Sequence, residues 1–274
     1  MQHMIQYIDT HFHAEMIQER GFHVCALFSE LAESGFLGGI DIGIHPEDIP
    51  GRRRLLQDIC GLTHLLFSGG IYPGILDDGE SGKGRDRNRD IDQLLLLLEQ
   101  AAADKKIQCI GEFGLDYHWD YGMRKAQQEL CIRQIELANT CRLPIIIHNR
   151  EADEDMAELL QRNPAEYGGI IHCFSSDRKA AERFLDAGMH ISFAGNLTFR
   201  NSRIIQEAAS YVPENRILIE TDAPYLAPHP YRGKTNHPGY IPHTYAYAAQ
   251  LRKCTAEDLA DQILVNFTSL FSVQ

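Results

Sequence analysis

No stretch of this 274-residue chain is apolar for long enough to cross a bilayer. The longest apolar run, Leu94 to Leu98, falls far short of a span, so no membrane partner is expected. Met1-Gln2-His3-Met4 has no basic region followed by an apolar stretch, so no secretory signal is expected either. The seven cysteines are odd in number, show no framework spacing and contain no Cys-x-x-Cys, which argues against a disulfide scaffold. Reduced thiols in the cytoplasm fit that pattern. Positive charge is scarce: 26 Lys and Arg face 38 Asp and Glu, a formal net charge of −12. That balance opposes bulk attraction to nucleic acid or anionic lipid, although bound divalent cations would reverse the sign locally. No Pro/Ser-rich linker or low-complexity tract divides the chain, and 44% apolar content is enough for a sizeable core. Residues 1–274 are therefore read as a single domain.

What the sequence does have is alternation. Short β-like runs occur at Tyr7–His13, Gly38–His45, His64–Ile71, Ile107–Leu115, Leu143–His148, Gly168–Phe174, His190–Gly195 and Ile217–Thr221. Several are almost continuously apolar, as strands buried on both faces must be. Helical stretches separate them. The clearest is Arg124 to Arg142, where Leu130, Leu137 and Cys141 lie beside Cys131, Ile135 and Ala138 in one stripe. Leu143-Pro144 ends that helix and opens the next strand. Asp77 to Asp90, rich in Gly and charge, reads as an exposed loop. Eight strands alternating with helices in this length predict an α/β fold of the (β/α)8 TIM-barrel type. An open doubly wound sheet is the alternative. It is disfavoured because candidate ligands fall on strands one, four, five, six and eight, which only closure brings to one mouth.

Those candidates are the polar residues that end the apolar runs, where barrel enzymes keep their active sites. His11 and His13 are two apart on a strand and so share a face. Glu112 ends strand four, His148 strand five, His172 strand six and Asp222 strand eight. Four imidazoles and two carboxylates suit two divalent ions sharing a bridge. In one arrangement His11, His13 and Asp222 hold the first ion and His148 and His172 the second, with Glu112 between them. Glu112 is hard to explain otherwise, since a carboxylate in an apolar strand needs a partner or a metal. Mixed nitrogen and oxygen ligands admit Zn²⁺, Mn²⁺ or Mg²⁺. Asp222 is also assigned as the general base, and Glu112 counts with it as catalytic.

The chain resembles the TatD family of metal-dependent hydrolases, amidohydrolase-like barrels, over nearly its whole length. The motifs are DTHFH at 9–13, IGEFGLDYH at 110–118, PIIIHNR at 144–150, IHCFS at 171–175, FAGNLTF at 193–199 and ETDAPYLAPHPYRGKTNHP at 220–238. The resemblance implies a two-metal deoxyribonuclease of the 3′→5′ exonuclease type, acting on single-stranded DNA or 3′ ends. It implies the same six metal ligands as the chemical reading, and Asn196, within FAGNLTF, as a substrate contact. Some relatives of the barrel instead remove D-amino acids from tRNA, so hydrolysis of an amide or ester is the alternative activity. Three features depart from the family pattern. Tyr72 stands where Gly-x-His-Pro is usual, while Gly43-Ile44-His45-Pro46 carries that motif one strand earlier. Tyr72 is aligned with the family histidine as a substrate contact, and His45 as an extra one. The usual Leu-Asp after the second histidine is missing, and the Asp77–Asp90 insertion is long.

Basic residues follow the strands on the expected catalytic side: Arg52, Arg53 and Arg54, then Lys83, Arg85, Arg87 and Arg89, then Arg150, Arg200, Arg203, Arg232 and Lys234. Arg150 and Arg232, inside the family-like motifs, are the phosphate candidates. Asp116 and Tyr117 are placed to orient the site, with loop packing the preferred role for Tyr117. Trp119, the sole tryptophan, is read as packing over the barrel mouth, with base stacking the alternative.

Overall fold

A computed structural model describes residues 4–59, 61–76, 91–119 and 121–271. The Asp77–Asp90 segment, with Lys83, Arg85, Arg87 and Arg89, lies outside the described residues. Eight parallel strands follow one another in space in chain order. They are β1 (Tyr7–Phe12), β2 (Phe36–Asp41), β3 (His64–Gly69), β4 (Cys109–Asp116), β5 (Ile145–Arg150), β6 (Gly169–Ile171), β7 (His190–Phe193) and β8 (Ile217–Ile219). The sheet returns on itself through a parallel bridge between Phe12 and Ala223 and through the Asp222 N–H donating to the His11 carbonyl at 2.9 Å. Side chains fasten the same seam: the Thr221 hydroxyl donates to Asp9 Oδ2 at 2.6 Å, and Thr10 donates to the Ile219 carbonyl at 3.2 Å. The expected (β/α)8 barrel is the fold, and all eight expected strands are present with ends shifted by a few residues.

The core explains the apolar runs. Ile145, Ile146 and Ile147 are wholly buried because β5 has barrel on one face and helices on the other. The Arg124–Cys141 helix buries Leu130, Cys131, Ile135 and Ala138 as the stripe predicts. It also buries two glutamines seven residues apart, Gln127 and Gln134, which the stripe does not explain. Gln127 accepts from the Asp116 N–H (2.9 Å) and donates to the Asp116 carbonyl (3.0 Å). Gln134 does the same for Ile71 at 2.8 and 3.0 Å. Each amide satisfies backbone groups where a strand leaves the sheet ladder, so burial without a penalty requires this residue type. The helix thereby fixes the segment leading to Tyr72 and the end of β4. At Gly114 the strands close tightly: φ is +151°, and a Cβ would collide with the His148 carbonyl. Glycine there lets β4 press against β5 beside a candidate ligand.

Candidate metal centre

Six side chains converge at the carboxyl end of the barrel, and Glu112 sits between two pairs of imidazoles. Its Oε2 is 3.4 Å from His11 Nε2 and 3.9 Å from His13 Nε2. Its Oε1 is 2.9 Å from His148 Nδ1 and 3.0 Å from His172 Nε2. Asp222 Oδ1 lies 3.7 Å from both His11 Nε2 and His13 Nε2. The six residues singled out by sequence thus come together in two triads, His11–His13–Asp222 and Glu112–His148–His172, the ligand atoms of each lying within 4.8 Å of one another.

This donor set fits divalent ions. Metal–nitrogen bonds of about 2.0 Å at tetrahedral angles put neighbouring donors roughly 3.3 Å apart. His11 Nε2 and His13 Nε2 are separated by 3.3 Å, and so are His148 Nδ1 and His172 Nε2. Nitrogens converging at that spacing, with carboxylate oxygens beside them, are a cage for cations rather than a packed core.

The supporting groups differ from imidazole to imidazole. Glu220 is fully buried; its Oε1 accepts from the Cys173 N–H at 2.8 Å and faces His172 Nδ1 at 3.3 Å. That contact turns His172 Nε2 toward Glu112. Asp116 Oδ2 meets His148 Nε2 at 3.0 Å and leaves Nδ1 toward Glu112. His13 Nδ1 bonds the Ile42 carbonyl at 3.2 Å, and the His11 ring stacks on His172 at 3.9 Å. Glu220, within the ETDAPYLAPHPYRGKTNHP motif, is a supporting residue that the sequence reading does not assign. The signal was available, because a carboxylate ending an apolar strand poses the same question as Glu112.

Charge is strongly coupled here. Burial alone would raise the Glu112 carboxyl, but His172, His11 and His148 outweigh it and hold the group well below the usual carboxylate range. Burial opposes protonation of His172, yet Glu112 and Glu220 push its pKa well up. Burial would raise Asp222 too, and His13, His11 and His172 lower it. Asp222 and Cys173 both stand at positive φ, 53° and 46°, a conformation uncommon outside glycine and gathered at functional sites.

The other sequence candidates separate by position. Arg150, Tyr72 and Asn196 line the cavity of about 700 Å³ that opens on Glu112 and Asp222. The Tyr72 hydroxyl donates to Asp116 Oδ2 at 3.2 Å and lies 3.3 Å from His148 Nε2. Arg232 instead lies over the Phe199 ring, 4.4 Å from its centroid, and is not among the described residues lining that cavity. His45 caps a short turn, its Nδ1 accepting from the Glu47 N–H, and lines a neighbouring cavity with His13. Tyr117 packs as expected, its hydroxyl donating to Asp155 at 2.7 Å.

Arg52 stands on the catalytic side, lining the cavity beside His13, but its charge is used inside the protein: it is 2% exposed, donating to Asp48 and Asp41 at 2.7 Å and to the Ser68 carbonyl at 2.6 Å. Asp41 is fully buried and needs a cation, and Arg52 is the one that supplies it. One expectation needs correction: Trp119 does not pack over the mouth, since the residue is 53% exposed and lines the cavity.

A family model of TatD-related DNases matches residues 8–272. The chain belongs to that family. It is similar to the uncharacterized metal-dependent hydrolase YcfH of Escherichia coli (strain K12), 36% identical over 226 residues that cover 82% of this chain and 80% of YcfH. It is also similar to the uncharacterized metal-dependent hydrolase YabD of Bacillus subtilis, 41% identical over 180 residues that cover 65% of this chain and 71% of YabD. Among solved structures it is similar to YJJV, a TatD homologue from Escherichia coli K12, with a TM-score of 0.82 and 27% identity, covering 99% of this chain and all of that one. As a TatD-family protein the chain is a metal-dependent hydrolase, and its His, Glu and Asp clusters are those of a divalent-metal site.

Proposed function

We propose that this TatD-family hydrolase is a two-metal deoxyribonuclease that removes nucleotides from the 3′ ends of single-stranded DNA. The observation that carries the reading is the division of the Glu112 carboxylate, one oxygen toward His11 and His13 and the other toward His148 and His172. A carboxylate shared in this way suits a pair of ions, which would supply Lewis-acid charge to phosphate oxygens and make water acidic near neutral pH.

The chain's own groups do the rest. His11, His13 and Asp222 hold one side of the centre, and His148 and His172 the other. Glu220 and Asp116 keep the two latter rings turned inward, which preserves their ligating tautomers. Asp222 takes the proton of the attacking water at a carboxylate oxygen and stays ionised for that purpose, because His13 and His11 hold its pKa down. Arg150, exposed at the mouth, binds a phosphate bidentately beside the scissile one. The six described cysteines are all unpaired, consistent with work in the cytoplasm. Among the described residues no helix is long and apolar enough to cross a membrane.

The test is release of nucleotide from single-stranded DNA labelled at either end, after chelation and re-addition of Mg²⁺ or Mn²⁺. Stepwise metal-dependent loss from the 3′ end is the expected result. Metal binding without cleavage of DNA, together with hydrolysis of an aminoacyl-tRNA or a small amide, would overturn the nuclease reading and leave the site intact.

A further inference from the structure

The exposed indole of Trp119 has no place in the metal centre, yet the fold aligns it with that centre closely. The Trp119 N–H donates to Asp116 Oδ1 at 3.2 Å, while Asp116 Oδ2 meets His148 Nε2 at 3.0 Å. One buried carboxylate therefore fixes both a ring of the metal site and the backbone under the tryptophan. Arg150 is the β5 partner of Asp116 in the strand register, two residues beyond His148. Its guanidinium carbon stands 5.7 Å from the Trp119 ring centroid. Trp119 and Arg150 share one wall of the cavity that opens on Glu112. At about 700 Å³ that cavity has the size of sites that take a whole small ligand, well beyond a lone phosphate.

A half-exposed tryptophan with a guanidinium over one side of its ring, indexed to the candidate metal centre, matches the two chemistries of a nucleotide. A base offers a π-face to the indole, and the adjoining phosphate offers oxygens to the arginine. Stacking of this kind is indifferent to which base is present and requires that the base be out of a duplex. We infer that Trp119 and Arg150 form a nucleotide-binding subsite in which the indole stacks one unpaired base of the DNA strand while Arg150 holds the neighbouring phosphate. The identity of the polymer rests on the nuclease reading above; the aromatic–cation subsite rests on its own geometry. Because the base must be unpaired, frayed or single-stranded ends are taken in preference to blunt duplex ends.

Trp119 is the only tryptophan of the chain, so its fluorescence reports this subsite without interference. The metal-loaded protein is titrated with a slowly hydrolysed phosphorothioate oligothymidylate of roughly ten nucleotides, within the usual span of single-strand sites. A matched strand whose sugars lack bases is titrated in parallel. The thymidylate should quench the emission and the baseless strand should not. Trp119→Ala should raise KM on ordinary single-stranded DNA about tenfold while kcat changes by less than about twofold, and Trp119→Phe should recover most of the loss. Equal responses to both strands, or no response, would overturn the stacking even if DNA is cleaved. Quenching by the thymidylate alone in a protein that cleaves no DNA would sustain the subsite and remove the nuclease reading instead.

Discussion

Two of the places where charged side chains are buried are built on opposite plans. At the end of β2, Arg52 is closed in: its Nε goes to Asp48, its Nη1 to Asp41 and its Nη2 to the Ser68 carbonyl. Each of its three nitrogens has a protein acceptor, so the charge is met within the protein. At the barrel mouth the reverse holds. Four imidazoles turn nitrogens toward each other and toward Glu112, with His11–His13 and His148–His172 nitrogen spacings of 3.3 Å. The first arrangement is complete in itself and serves stability; the second converges and serves a ligand. Satisfaction of donors, rather than burial or charge, distinguishes a structural ion pair from a site.

Substitutions can break that distinction. Glu112→Gln keeps the shape but removes the shared charge. It should lower hydrolysis on the order of a thousandfold while the urea midpoint of the metal-free protein holds or rises, measured by steady-state kinetics and denaturation. Arg52→Ala should do the opposite. It leaves Asp41 buried without a cation and should cost about 3–5 kcal/mol of stability, with activity per folded molecule kept. Loss of activity at unchanged stability in Arg52→Ala would erase the contrast.

Finer changes sharpen it. Asp116→Asn and Glu220→Gln leave all six candidate ligands but loosen the rings of His148 and His172. Each should weaken metal binding or turnover about 10–100-fold by calorimetric titration and kinetics, with metal excess restoring part of the loss. The smallest effect is expected away from both places. His190, at the start of β7, is pushed down to about 4 by burial and by Arg216. Unfolded, the same group protonates near 6.5. The unfolded chain therefore gains a proton first as pH falls, so this contribution is whole above pH 6.5 and is lost toward pH 4. Between pH 7 and 5 that amounts to about 2 kcal/mol, read as a smaller drop of the urea midpoint in His190→Gln than in the unaltered chain.

Much of this was legible in the sequence, for identifiable reasons. Parallel strands buried on both faces leave apolar runs, and barrel closure follows from candidate ligands on the first and last strands. His11 and His13 were legible because strand alternation puts them on one face, and Glu112 because an apolar strand gives a carboxylate no other excuse. The buried pairing of Arg52 was not legible, because charge and position in the chain cannot show that Asp41, eleven residues earlier, lies buried beside it. Gln127 and Gln134 were illegible for the same reason, since their roles depend on backbone groups brought near by the fold; Glu220 was legible in principle, as a carboxylate ending an apolar strand. Trp119 was expected to pack, and only the fold, which pairs Asp116 with Arg150, shows it exposed beside that arginine.

The most direct test of the central claim is a Mn²⁺ titration of the chelated protein, followed by calorimetry and electron paramagnetic resonance, beside the Glu112→Gln variant. Two equivalents of Mn²⁺ with a magnetically coupled signal, reduced in Glu112→Gln to weaker and uncoupled binding, is the predicted result. A single equivalent, or two uncoupled ions that Glu112→Gln leaves unchanged, would contradict a centre bridged by Glu112.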